Sequence, residues 1–167
     1  MKKILIVLLV LFIANVGCKK TGIDGGGLCA CSPVAQPTMA FLIKDANGND
    51  LLNPKTTGYF EKNKIQLYAK DSNNTIKQLN FDVNPPFNYT NNLTVSYYQV
   101  RSSEIMSVAR PAGIKFYLKL GDTKLYEIKL KVNNYFVEQV ILDDVELNKE
   151  FPNIQEPAIN NIYSIKI

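Results

Sequence analysis

Asp143 and Asp144, with Glu146 two residues on, are the densest acidic group in the chain. Two carboxylates facing each other across a cleft are what a glycosidase needs, one as acid and the other as base or nucleophile. The same three residues follow the end of a predicted strand, where a solvated turn explains them without any chemistry. Histidine is absent from all 167 residues, which removes Ser-His-Asp and Cys-His nucleophile pairs and every metal site built on imidazole. Most hydrolase designs go with it. A carboxylate-only enzyme acting on glycans or cell wall remains as the alternative to a protein that does no catalysis.

Asp45, Asn47, Asn49 and Asp50 have the oxygen spacing of the first half of a calcium loop. The sixth position lacks the usual glycine, however, and the twelfth is Thr56 rather than glutamate. An Asn-Gly turn closing a hairpin accounts for the same residues. Cys29 and Cys31 are spaced C-x-C, close enough for a strained local disulfide in an oxidising compartment and short of the further ligands that zinc requires. Gly25-Gly26-Gly27 follows no strand and opens no helix, so it reads as linker and not as a phosphate cradle. No cofactor or metal is expected.

Three consecutive aromatic pairs, Tyr97-Tyr98, Phe116-Tyr117 and Tyr135-Phe136, fall in predicted strands, where neighbours must point to opposite faces. The phase of each strand sends Tyr98, Tyr117 and Phe136 outward, with Tyr68 beside them. Tyrosine joins a flat apolar face to a polar tip, so these four are the candidate binding surface for an envelope protein or a glycan. Stabilising cross-strand contacts under lysine stems are the competing role.

The elements that must carry these residues begin with a leader. Met1-Lys2-Lys3 is followed by an apolar run from Ile4 to Ala14 and then by Asn15-Val16-Gly17-Cys18. At about 1.5 Å per residue that run spans only about half of a bilayer core of about 30 Å, which predicts a cleaved export signal over 1–17. Gly17 before Cys18 resembles the lipobox of bacterial lipoproteins, although Asn15 stands where that motif usually has Leu, Val or Ile. The resemblance implies lipid on Cys18 and a partner that is the membrane itself, each buried methylene adding about 0.8 kcal/mol. The Cys-Lys-Lys start and the segment from Asp45 to Pro54 resemble small uncharacterised outer-membrane lipoproteins of Bacteroidota. That resemblance implies a β-sandwich domain held at the outer membrane, and no activity. Lys19 and Lys20 after the cysteine favour the periplasmic side over the cell surface.

Residues 18–37, rich in glycine and proline, read as the lipidated cysteine and a flexible tether, and 38–167 as one β-sandwich domain. The formal charge of +4 falls to +2 when Lys2 and Lys3 leave with the signal, and lysines alternate with acids, so no nucleic-acid partner is expected. Apolar residues recur with a period of two in eight windows: 39–44, 65–70, 75–83, 93–100, 114–120, 124–132, 135–142 and 162–167. No window carries a helical stripe. The pattern predicts an all-β, antiparallel, immunoglobulin-like sandwich. A two-residue turn at Asn133-Asn134 would set Val132 opposite Tyr135, Leu130 opposite Val137, Ile128 opposite Gln139 and Lys129 opposite Glu138. A three-residue turn at 121–123 would set Leu118 across from Tyr126 and Phe116 across from Ile128. The inner face is then Phe116, Leu118, Leu120, Tyr126, Ile128, Leu130, Val132, Val137 and Ile141.

Overall fold

In the computed structural model, residues 38–90, 92–109, 114–122, 124–133, 136–154 and 156–167 are described, without the side chains of Phe136, Pro157 and Ala158. The expected signal peptide, Cys18, the tether with Gly25-Gly26-Gly27, Cys29 and Cys31 all lie outside these residues. So do Asn134, the second residue of the expected turn, and Tyr135 after it.

The described chain is mostly strand. In order it forms β1 (Met39–Lys44), β2 (Ile65–Lys70), β3 (Ile76–Gln78), β4 (Asp82–Asn84), β5 (Phe87–Thr90), β6 (Leu93–Val95), β7 (Gln99–Ser102), the one-turn helix α1 (Glu104–Val108), β8 (Lys115–Leu120), β9 (Lys124–Asn133), β10 (Phe136–Leu142), β11 (Val145–Glu146), the short helix α2 (Pro157–Asn160) and β12 (Ile162–Lys166). One sheet has the order β11-β10-β9-β8-β2-β3 and is antiparallel throughout. The other, β12-β1-β7-β4, is mixed, because β1 and β12 run parallel while β7 is antiparallel to both β1 and β4. β5 and β6 pair only with each other.

Alternation places the core. In β2, Ile65, Leu67 and Ala69 are buried, and in β8 so are Phe116, Leu118 and Leu120. These pack with Met39, Phe41 and Ile43 of β1, Val100 of β7, and Tyr163 and Ile165 of β12 in a single cluster supplied by both sheets. The other face of the mixed sheet is buried too. Ala40, Leu42 and Ile162 form a second cluster with Val95 and Ile159, covered by Phe87, Leu93, Tyr97 and Phe151. Every residue of β1 is therefore buried, including the phase that alternation alone would assign to solvent.

The hairpin of β8 and β9 has the register its turn predicts, with Leu118 opposite Tyr126 and Phe116 opposite Ile128. The hairpin of β9 and β10 does not. Val132 faces Val137, the register shifts between Val137 and Gln139, and beyond the shift Val140 faces Leu130 and Leu142 faces Ile128. A β-bulge at Glu138 inserts one residue and changes the phase of the strand after it. Val140 and Leu142 are consequently buried with Val137, and Ile141, expected inside, is only half-buried. Lys129 does not meet Glu138: its Nζ lies 2.7 Å from Asp144 Oδ1, and Glu138 pairs with Lys131 at 3.1 Å.

Two expected strands are each divided. The window 75–83 yields β3 in one sheet and β4 in the other, with Leu79 buried at the crossing and its N–H donating to the Leu67 carbonyl. The window 93–100 yields β6 and β7, separated by Ser96-Tyr97-Tyr98. Both helices are single turns, too short to display a stripe.

Candidate functional site

On the outer face of the six-stranded sheet, Tyr68 of β2 and Tyr117 of β8 stand directly opposite each other. Their rings stack with centroids 5.2 Å apart and planes 18° from parallel. The Lys70 ammonium lies 4.9 Å from the Tyr117 centroid and 5.9 Å from that of Tyr68, a cation–π arrangement. Tyr117 donates its phenolic hydrogen to Glu127 Oε2 at 3.1 Å, and the same carboxylate receives Lys115 at 3.4 Å and Lys129 at 3.8 Å. Burial, then the hydrogen bond and charge of Glu127, push the Tyr117 hydroxyl above its ordinary pKa. Two exposed apolar residues flank the group: Ile76, opposite Lys70, and Leu125, opposite Lys119.

This arrangement follows from strand geometry. Tyr68 and Lys70 are two apart on β2, Lys115, Tyr117 and Lys119 two apart on β8, and pairing in register brings the sets side by side on one face. Each tyrosine turns one ring face to the other, so a partner meets mainly ring edges, hydroxyl tips and ammonium groups. The face is suited to a polar or acidic surface with apolar margins.

The other two members of the expected surface do not join it. Tyr98 lies in the segment before β7, is half-buried and packs against the shared core, so it is not an outward ring on this sheet. Its N–H donates to Asp50 Oδ2 at 2.7 Å, which anchors the segment. Phe136 begins β10 opposite Asn133, and its side chain lies outside the described residues. Lys70, Ile76, Leu125 and Glu127 were not singled out from sequence; the i+2 spacing of Lys70 from Tyr68 was the available signal.

No protein-family model, curated protein or solved structure matches this chain. What the face can do has to be read from its side chains.

The carboxylates raised as catalytic or calcium-binding candidates are occupied by turns. Asp143 and Asp144 have φ of 45° and 68°, the left-handed pair of a two-residue hairpin turn joining β10 to β11. Asp143 Oδ1 accepts the Glu127 N–H at 2.7 Å. The hydrogen bond and charge of Lys129 hold the Asp144 carboxyl below its ordinary pKa. Asp45 accepts the N–H groups of Asn47 and Asn49 and the side-chain amide of Asn49, which together lower its pKa, the Asn49 side chain most. Asp50 points the other way, into the domain, and accepts the Leu52 N–H on Oδ1 and the Tyr98 N–H on Oδ2. The oxygens of the half-loop therefore diverge instead of converging on a cation.

Proposed function

We propose that the chain is a non-catalytic binding or assembly module of the bacterial cell envelope, held at the outer membrane by lipid on Cys18, on the periplasmic side. Its contact surface is the outer face of the six-stranded sheet, and its partner there is an envelope protein or a glycan. The observation that carries this reading is the stacked Tyr68–Tyr117 pair with Lys70 above it, on a sheet face where the neighbouring Gln66, Lys115 and Leu125 are exposed. Tyrosine rings at the surface are what interfaces enrich. Glu127, Asp143 and Asp144, tied to lysines or backbone N–H groups, favour binding over carboxylate catalysis.

The finer architecture is proposed to be an immunoglobulin-like sandwich of the kind expected in small Bacteroidota outer-membrane lipoproteins. Its support is the passage of the chain from β7 in one sheet to β8 in the other, beside β2, as in a Greek key.

The test is photo-crosslinking in intact cells from positions 66 and 119, on the outer face, with position 55 as the exposed control. Discrete adducts from 66 and 119 that disappear in Tyr68→Ser/Tyr117→Ser are the expected result. Adducts equal to those from position 55, or unaffected by the double substitution, would overturn the proposal. Cys18→Ala is expected to release the chain from membranes, and mass spectrometry of the mature N-terminus checks the anchor.

A further inference from the structure

A second site lies on the opposite side of the domain, in the mixed sheet. The β5–β6 hairpin covers only part of that sheet's outer face. At its margin a cleft of about 200 Å³ opens between β4 and the start of β1, lined by Thr38, Asn80, Asp82, Asn84, Arg101 and Ser103, with Phe81 at its side. Strand pairing sets the positions: Asp82 stands opposite Arg101, and Asn84 opposite Gln99. Arg101 Nε and Nη2 both donate to Thr38 Oγ1, at 3.2 and 3.1 Å, which ties the guanidinium to the residue before β1, and its Cζ lies 5.9 Å from the Phe87 ring.

Gln99 supplies an independent observation. It is fully buried, two residues from Arg101 on the same face of β7, and among the described residues neither its amide nitrogen nor its amide oxygen has a hydrogen-bond partner. An unpaired buried carboxamide costs about 1–3 kcal/mol, and an apolar residue of the same size would avoid that cost. Gln99 stands opposite Asn84 and does not itself line the cleft, so it marks polar character kept in the strand beside the lining and is not a group that a ligand in the cleft touches.

The lining selects the ligand class. Arg101 and Lys62, which pairs with Asp82 at 2.9 Å, are matched by Asp82 and by Glu104, whose carboxylate accepts from the Asn80 amide at 2.6 Å, so the lining and its direct partners carry no net charge and are a poor receptor for phosphate. Asparagine amides, a carboxylate, a guanidinium and hydroxyls mix donors with acceptors, as the hydroxyls of a sugar require, and an aromatic ring stands beside them. The volume admits a single ring. We propose that this cleft binds one neutral sugar ring, such as the terminal residue of a glycan, separately from the contact face of the six-stranded sheet.

The test uses the full-length chain, 15N-labelled in a zwitterionic, sugar-free detergent and titrated with glucose, galactose, mannose and N-acetylglucosamine to millimolar concentrations. Saturable shifts at the amides of Asp82, Asn84, Arg101 and Ser103 with at least one of these sugars are expected. They weaken about tenfold, a change of about 1.4 kcal/mol, in Asn84→Ala, an edge-strand substitution, and persist unchanged in Tyr68→Ser/Tyr117→Ser. Ser103→Ala, on an exposed hydroxyl, is the second variant should Asn84→Ala unfold. No saturable shift with any sugar overturns the proposal, as does a stronger response to inorganic phosphate, or equal affinity in both cleft variants. Shifts lost only in the tyrosine variant would place the sugar on the sheet face and overturn the cleft alone.

Discussion

Along β2, buried Ile65, Leu67 and Ala69 alternate with Gln66, Tyr68 and Lys70, and the second set forms the open face of the six-stranded sheet. Along β1 both phases are buried: Met39, Phe41 and Ile43 face the shared core while Ala40 and Leu42 lie under the β5–β6 hairpin and the segment before β12. One sheet thus has a side free to carry recognition chemistry, and the other is a central layer whose outer side is open only at the Arg101 cleft. The difference predicts opposite tolerance to substitution at formally equivalent positions. Leu42→Ala removes a side chain with no exposed surface and should destabilise by about 2–5 kcal/mol, whereas Tyr68→Ser loses a stacked pair worth about 0.5–1.5 kcal/mol. Urea unfolding of the two variants measures both. A cost at Leu42 no larger than at Tyr68 would mean that the hairpin is not a structural layer.

Asp50 sharpens the same contrast, because it ties the covered side together while Asp45, five residues earlier, only closes its own exposed turn. Asp50→Ala leaves the N–H groups of Leu52 and Tyr98 without their acceptor, at about 1–3 kcal/mol for each buried group left unpaired. Asp45→Ala should cost clearly less. Hydrogen exchange at the Leu52 and Tyr98 amides reads the local part of the effect: both should lose protection in the first variant and keep it in the second.

Much of the open sheet was legible in sequence, and the reason is physical. A sheet wet on one side prints its period of two directly, so β2, β8 and β9, and the 116–128 and 118–126 pairs, follow from alternation and a turn length. Tyr68 and Tyr117 were placed on one outward surface for the same reason. The mixed sheet left a weaker print. With both faces of β1 covered, the alternation 39–41–43 against 40–42–44 was genuine but did not mark an inside and an outside. Tyr98 was misassigned because a strand was continued through 96–98, where only the long-range Asp50 contact shows that the chain turns. The cleft was invisible, since Arg101 lies 17 or more residues from Asp82 and Asn84, which share β4, and only pairing in register unites them.

The two sides also differ in what they do with a phenol. Tyr163, on the inner face of β12, is buried with no partner for its hydroxyl among the described residues, and burial pushes its pKa up to about 12. The unfolded value is 10.0, so between pH 10 and 12 the unfolded chain has released a proton that the folded chain retains. Stability from this group is complete below pH 10 and falls as pH rises through about 12, a loss of about 2–3 kcal/mol. Tyr163→Phe should flatten that part of the pH–stability profile without weakening the protein at neutral pH, because it deletes an unpaired hydroxyl. Tyr117, with Glu127 as its partner, should respond in the other sense at neutral pH, with Tyr117→Phe costing a hydrogen bond.

The smallest expected effect tests the place where turn-based reasoning failed on the open sheet itself. A two-residue turn at 133–134 would have paired Lys129 with Glu138, but pairing begins with Asn133 opposite Phe136, and the bulge at Glu138 then moves the remainder of β10 by one residue. Burial is what the bulge gains. It allows Val137 and Val140, three apart, both to face the core, which strict alternation forbids, and it leaves Glu138 exposed between Lys131 at 3.1 Å and the Asn133 amide at 2.9 Å. Those two contacts, Asn133 first, hold the Glu138 carboxyl below its ordinary pKa. A double-mutant cycle between Lys131 and Glu138 should therefore show a small coupling that salt screens, and the cycle between Lys129 and Glu138 none. The reverse result would restore the unbulged register. It would also return Ile141 to the core and Val140 to solvent, so a destabilisation by Val140→Asp much larger than by Ile141→Asp is the independent check that the strand is bulged where alternation breaks.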